Sequence, residues 1–419
     1  MNAEGRGRRR FLKDAALAGL VAGTIRSASA QTGGPEGSNA MEAAAKDPRI
    51  YRAYGVRSRF ETAAREINTP QAHNPIQEQQ GIITPASLHH VVSHGYDPPD
   101  IDPKQHRLMI HGMVDRALIF TLEELKRLPS VSRIHFIECA GNTSPVEGRE
   151  IAKTIQFTHG WTSCSVWTGV PLSLLLKEAG AQKAGTWILA EGAEAGKHTK
   201  SIPIEKAMDD VFVAYGQNGE AVRPQQGYPL RLVVPGWEGI ANVKWLRRIK
   251  VVDQPYMAKS ESTGYPVLRP KMNGKAFWFN FEWGPKSVIT YPSLGQKLPA
   301  KGFYEIAGFA WSGGGVIRRV EVSTDGGKSW KDAEIQSPVL PKAHTRFVFP
   351  WTWNGEEALI QSRCTDERGA VQPSLAQFAE MWGVEPKFFE TATLRVNHFN
   401  AIYPWKVTRD GSIENGLYA

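Results

Sequence analysis

Cysteine is scarce in this chain: Cys139, Cys164 and Cys364 are the three among 419 residues. So small and odd a number excludes a disulfide framework. Core burial must hold the fold, and each thiol is either a packed apolar side chain or a group with a task of its own. No Cys-x-x-Cys-His run occurs, so the chain attaches no c-type haem, and no other metal-ligand cluster of strong spacing stands out. Long apolar runs are missing as well. No stretch approaches the roughly 18 uninterrupted apolar residues of a membrane-spanning helix, so no membrane span is expected. Charge of one sign is modest: 50 Lys and Arg against 42 Asp and Glu leave +8. Half of that excess sits before Gln31, where six basic residues face two acidic ones. The remaining balance argues against nucleic acid while still suiting an acidic protein or a sulfur oxyanion.

The first thirty residues carry an address. Arg8-Arg9-Arg10-Phe11-Leu12-Lys13 precedes an apolar run, Ala15 to Ile25, and then Ala28-Ser29-Ala30, a small-residue cleavage site. This order looks like a twin-arginine export signal over 1–30, and a basic N-terminal arm is the plainer alternative. Export by that route implies a periplasmic protein, often folded around its cofactor before it crosses the membrane.

Beyond the signal, residues 31–75 are polar and broken by Pro35, Pro48, Pro70 and Pro75, which reads as an extended N-terminal arm. A first domain is expected over 76–255. Arg107 to His111, Thr186 to Ala190, Tyr228 to Val234 and Val243 to Val252 read as strands, Thr121-Leu122-Glu123-Glu124 as a capping box, and Pro171 to Ala179 as a helix closed by Gly180. Strands mixed with short helices indicate an α+β fold. A second domain, 265–400, changes to short strands at sandwich spacing with a turn at Asp325-Gly326-Gly327-Lys328; it reads as an all-β immunoglobulin-like sandwich, followed by a tail over 401–419.

Cys139 is the residue with a candidate task. It lies in Glu138-Cys139-Ala140-Gly141-Asn142, where an apolar strand, Arg133 to Ile137, enters a Gly/Asn turn. A thiol there can meet a ligand while the strand behind holds its position, and a soft thiolate suits a transition metal. By itself it reads equally as a small buried hydrophobe.

Other segments extend the pattern. Together with the Cys139 run, Gly227-Tyr228-Pro229-Leu230-Arg231-Leu232-Val233-Val234-Pro235-Gly236, Asn242-Val243-Lys244-Trp245-Leu246 and Arg319 to Trp330 resemble, in order and spacing, the sulfite oxidase family of molybdopterin enzymes. Thr158 to Leu172, Val339 to Phe347 and Asn400 to Val407 resemble the branch of that family that dehydrogenates sulfane sulfur in thiosulfate oxidation. The resemblance implies a molybdenum–molybdopterin cofactor with Cys139 as the protein thiolate on the metal. It places His94 against the pterin and Arg231, Asn242, Val243 and Lys244 around the pterin and its phosphate, and it puts Asn142, Ser163, Cys164 and Ser165 within reach of the cofactor. Guanidinium, ammonium and backbone N–H donors suit a phosphate dianion, although Arg231 alone reads as a solvated strand-end charge. Cys164 reads equally as a core thiol, and Cys364, within a strand pattern, reads as one outright.

Departures from the family pattern bear on chemistry. The active-site tyrosine ahead of the Ser-Ile-Pro run is His198 here, with Lys197 and Lys200 beside it. His198 and Lys200 are accordingly candidate catalytic groups, with an exposed loop histidine as the alternative. The arginines that bind sulfite are replaced by Thr143, Ser144 and Val92. Hydroxyls cannot mimic a bidentate guanidinium, so a small dianion would be held weakly, whereas a carrier protein brings binding free energy of its own. Arg346 is a weaker candidate for charge at the substrate mouth. The implied reaction is oxygen-atom transfer to carrier-bound sulfane sulfur, with electrons leaving to a separate c-type, dihaem cytochrome subunit and the second domain making a homodimer, or a heterotetramer with that cytochrome. Sulfite dehydrogenase, a sulfoxide-type reductase and a cofactor-free cytochrome-binding scaffold are the competing readings.

Overall fold

The computed structural model describes residues 54–68, 71–94, 96–144, 153–391 and 396–418; the export signal and most of the expected arm lie outside them. The chain divides into a unit 1–62 and a compact unit 63–419, and the described strands and helices lie in the second.

The first domain is built on two five-stranded sheets. In one, Val131–Glu138 pairs antiparallel with Thr162–Pro171, which pairs in turn with Phe212–Gln217; Arg231–Val233 joins the far side of that last strand. Val131–Glu138 starts exposed and ends buried, so the strand delivers its final residues, Phe136, Ile137 and Glu138, into the interior. In the other sheet Leu246–Val252 lies parallel to Leu108–Gly112 and antiparallel to Trp187–Gly192, with Thr199–Pro203 at the edge. The parallel pair is made by strands far apart in sequence, as a parallel ladder requires a crossover.

Local signals in the sequence take the expected form. Thr121 caps Leu122–Lys126, its side chain accepting from Glu124 N while the Glu124 carboxylate accepts from Thr121 N. Leu172–Ala179 buries Leu172, Leu175, Leu176 and Ala179 on one face and ends at Gly180, whose φ of 69° is the left-handed conformation glycine adopts without strain.

The second domain is a sandwich of two antiparallel sheets. Lys286–Tyr291, Gly302–Trp311, Thr345–Trp353 and Glu334–Ile335 form one; Lys331–Asp332, Ile317–Ser323, Ala358–Asp366, Trp405–Val407 and Ile413–Asn415 form the other. Two expectations need correction. Residues 401–419 are no tail: Trp405 is fully buried and its strand pairs with Ala358–Asp366. The end of the expected arm is also built in, since Ala72, His73 and Asn74 are buried and Ala72 bridges Val91. Apolar spacing in both segments is too short to reveal this; distant partners supply the pairing. The sandwich also holds a helix, Leu375–Trp382, capped by Ser374 and Gln377, that its strand-rich texture does not announce.

One apolar cluster crosses both domains, joining Ile76, Phe136, Ile155 and Cys164 to Trp283, Trp311, Phe347 and Trp405. A second, around Leu108, Leu172, Leu176, Val213 and Ile249, belongs to the first domain alone. Cys364 is buried in the shared cluster, and burial pushes its thiol up, as expected of a packing residue.

Candidate active site

The strand Val131–Glu138 ends where a cavity of about 860 Å³ begins, and Cys139 lines it at 5% exposure. The turn is pinned on both sides: Cys139 N donates to Trp161 O at 2.9 Å, and Asn142 N donates back to Cys139 O at 2.9 Å. Asn142 does not line the cavity. Its amide donates to Glu138 Oε1 at 2.9 Å and accepts from Trp161 N at 3.1 Å, which fixes the turn that carries the thiol.

The opposite chemistry, concentrated positive charge, also faces the cavity. Arg231 is buried at 2% exposure, with its guanidinium over the Trp167 ring at 4.7 Å. It donates to Gln226 O at 3.0 Å, Gln226 Oε1 at 3.2 Å and Asn242 O at 3.2 Å, and among the described residues its Nε has no hydrogen-bond partner. Lys244 donates to Val92 O at 3.0 Å and Gln225 O at 3.1 Å. Among the described residues no carboxylate forms an ion pair with either cation. Burial pulls Arg231 down to about 9, and burial together with the Arg231 charge pulls Lys244 down to about 7. A buried guanidinium with an N–H unpaired among the described residues and a half-buried ammonium, both on neutral acceptors, suit an anion. Gly227, at φ 108°, lets the chain pass close to Lys244: a Cβ there would lie 2.9 Å from Lys244 Cβ.

His94 and His198 stack at 5.9 Å between ring centroids on the cavity wall, and His94 Nε2 meets Tyr265 Oη at 3.5 Å. His94 has φ 52°, uncommon for a residue with a Cβ and a mark of a constrained functional position. His198 is half-buried rather than an exposed loop residue. Burial first, then the charges of His94, Lys200 and Lys244, pull its pKa to about 4. Its ring bonds Ile240 O at 3.1 Å through Nε2. A carbonyl only accepts, so Nε2 carries the proton and Nδ1 is the acceptor of a neutral ring.

Several expected site residues stand elsewhere. Lys200 does not line the cavity; its ammonium, 1% exposed, is 2.7 Å from Glu238 Oε1, because a charge this deep needs a partner. Ser163 accepts from His90 N at 3.0 Å and contacts His90 Nδ1 at 2.9 Å, so it supports a cavity residue from behind. Ser165 receives the Gln217 amide at 3.1 Å. Cys164 is fully buried with its thiol pushed up to about 12, which makes it a core side chain. None of the three lines the cavity: they are consecutive on one strand, Ser163 and Ser165 on one face and Cys164 on the other. Arg346 also lies off the cavity, on Thr345–Trp353. Asn242 and Val243 do line it, and Asn242 Oδ1 accepts from Val234 N at 2.8 Å.

The sequence reading missed His89, His90, Gln226 and Tyr265, all of which line the cavity. His89 and His90 are buried, and burial, aided by the Arg231 and Lys244 charges, keeps both rings neutral. The adjacent pair in Leu88-His89-His90 was the available signal. Gln226 and Tyr265 offered none.

Among the described residues no group of three or more His, Cys, Asp or Glu could hold a metal. A metal meeting Cys139 would need further ligands, which a bound cofactor can supply. A cysteine at one wall, a buried guanidinium and a half-buried ammonium suited to an anion, and neutral imidazoles on the lining make a cavity suited to a large anionic metal cofactor. The residues present fit a molybdenum–pterin.

Comparison with known proteins agrees. Residues 94–260 match the family "Oxidoreductase molybdopterin binding domain" and residues 280–391 the family "Mo-co oxidoreductase dimerisation domain". The solved structure of the sulfane dehydrogenase SoxCD from Paracoccus pantotrophus superposes with TM-score 0.81 at 40% identity, over 87% of this chain and 93% of that one. An NADH nitrate reductase of Brassica napus is 36% identical over 304 residues, 65% of this chain and 33% of that enzyme. Nitrate reductase 1 of Arabidopsis thaliana is 35% identical over 314 residues, 68% of this chain and 34% of the relative. The chain thus spans about a third of these curated relatives. It belongs to the sulfite oxidase family of molybdopterin oxidoreductases, and its cofactor is molybdopterin-bound molybdenum.

Proposed function

We propose that this protein is the molybdenum-bearing subunit of a periplasmic sulfane dehydrogenase, acting on sulfane sulfur held by a carrier protein and passing electrons to a c-type cytochrome subunit. The observation that carries the reading is the 40% identity with a sulfane dehydrogenase over nearly the whole of both chains. The polar turn after Cys139 supports it. Thr143 and Ser144 stand where sulfite-binding arginines are expected, and Thr143 Oγ1 is taken up by Phe399 O at 2.9 Å and Lys286 Nζ at 2.7 Å. Arg231 is buried and engaged by Gln226 and Asn242, and the half-exposed Arg248 pairs with Glu191. Substrate grip then comes from protein–protein contact rather than from a guanidinium clamp.

When bound, the cofactor supplies two-electron oxygen-atom transfer. The chain's own residues do the rest. Cys139 gives a thiolate on a backbone fixed at both ends; Arg231 and Lys244 hold the cofactor's phosphate; Asn242 ties the segment that bears Lys244 to the strand that bears Arg231. His198 offers Nδ1 as a neutral hydrogen-bond acceptor at the wall. The export signal, outside the described residues, supports a periplasmic location, and the second family match supports a dimer through the second domain. Among the described residues no helix is long and apolar enough to cross a membrane.

The test is turnover of the purified holoenzyme with cytochrome c. Carrier protein loaded with sulfane sulfur is expected to be oxidised far faster than micromolar sulfite. Fast oxidation of free sulfite with inert carrier would make the protein a sulfite dehydrogenase, and nitrate reduction from reduced viologen would align it with its plant relatives.

A further inference from the structure

The turn that carries Cys139 is held from the other domain as well as from its own. Glu138, fully buried, receives Lys286 Nζ at 2.6 Å on Oε1 and Trp311 Nε1 at 2.6 Å on Oε2, while its carbonyl receives Trp283 Nε1 at 3.3 Å. Lys286 Nζ donates also to Thr143 Oγ1 at 2.7 Å, and Thr143 Oγ1 donates to Phe399 O at 2.9 Å. Between them, His398 N donates to Ala140 O at 2.8 Å. Glu138, Ala140 and Thr143 are thus each gripped from the sandwich side, on both flanks of the thiol.

We propose that Lys286 and Trp311 are positioning residues for Cys139, so that the second domain completes the metal site as well as serving assembly. The inference rests on Cys139 being the metal's protein ligand. Both oxygens of the neighbouring Glu138 carboxylate are engaged by Lys286 and Trp311, and the direction in which they hold it sets where the strand ends and therefore where the sulfur sits. Outer-shell partners of this kind, when removed, reduce metal affinity or activity by roughly 10–100-fold. Lys286 adds charge to geometry: its ammonium is the ion-pair partner of the turn's buried carboxylate.

Removing Lys286 alone would strand a buried carboxylate, so the informative change is the pair Glu138→Gln with Lys286→Met, which removes both charges together. Trp311→Phe, which deletes one hydrogen bond and little volume, is the second variant and the one read if the pair does not fold. In the full-length holoenzyme the measurements are molybdenum content, the electron paramagnetic resonance signal of half-reduced molybdenum, and kcat against KM. The expected result is a shifted or heterogeneous signal and a kcat lower by roughly 10-fold or more with KM little changed; Lys286→Arg, which keeps charge and donors, restores most of the wild-type signal. A wild-type signal and kcat in folded double variant and in Trp311→Phe would overturn the proposal. Cys139→Ser is the control: if it leaves the signal unchanged, the ligand assignment fails rather than the positioning role.

Discussion

Arg231 and Lys244 show how burial converts a common side chain into a binding site. In water each would be protonated at any physiological pH; here desolvation outweighs what little compensation is present, for Lys244 the charge of Glu194, and the folded pKa of each falls. Between about pH 7, where folded Lys244 titrates, and the usual lysine value near 10.4, the unfolded chain binds the extra proton and the folded chain does not. Stability of the cofactor-free protein should therefore climb as pH rises through that window, and inorganic phosphate should flatten the climb by restoring the folded pKa. Urea midpoints with and without phosphate measure this; a flat profile in both would refute the anion site. His198 gives a second prediction. With its pKa pulled to about 4, it stays neutral at pH 5–8, so kcat/KM should show no inflection near 6.5 from this residue, and a step there that vanishes in His198→Asn would contradict the assignment.

At the level of elements, the site depends on how tightly two turns meet. Gly239 opens the short helix Gly239–Ala241 directly against the end of the Cys139 strand: a Cβ there would lie 2.8 Å from Glu138 O and 3.3 Å from Cys139 Cα. Gly239→Ala must push the strand end away. The expected outcome is a loss of about 1–3 kcal/mol in stability with a larger fractional loss of molybdenum content, read by calorimetry and metal analysis. Thr121 offers the contrast. It caps a helix far from the cavity, so Thr121→Ala should cost about 1 kcal/mol while leaving turnover untouched.

Across the whole molecule, the shared apolar cluster and the Lys286–Glu138 pair tie the two domains into one cooperative unit. Heat should melt the compact unit in a single calorimetric transition, with van't Hoff and calorimetric enthalpies in agreement. Two resolved transitions would show that the sandwich stands independently and that its grip on the Cys139 turn is incidental.

The sequence by itself determined the local and the chemical: the capping box at Thr121, the glycine stop at Gly180, the strand running into the Cys139 turn, the strand texture of the second domain, and the residues carrying the family pattern at Cys139, Arg231 and Lys244. These are written in neighbouring residues, where propensity, turn chemistry and motif spacing act. Only the tertiary structure decided which side chains meet. It moved Lys200 onto Glu238, turned Ser163 and Ser165 away from the cavity, drew residues 401–419 into a sheet and brought Lys286 and Trp311 to Glu138. Each of these is a pairing between residues distant in the chain, and burial of a charge or closure of a ladder selects such a partner only once the fold has placed it within reach.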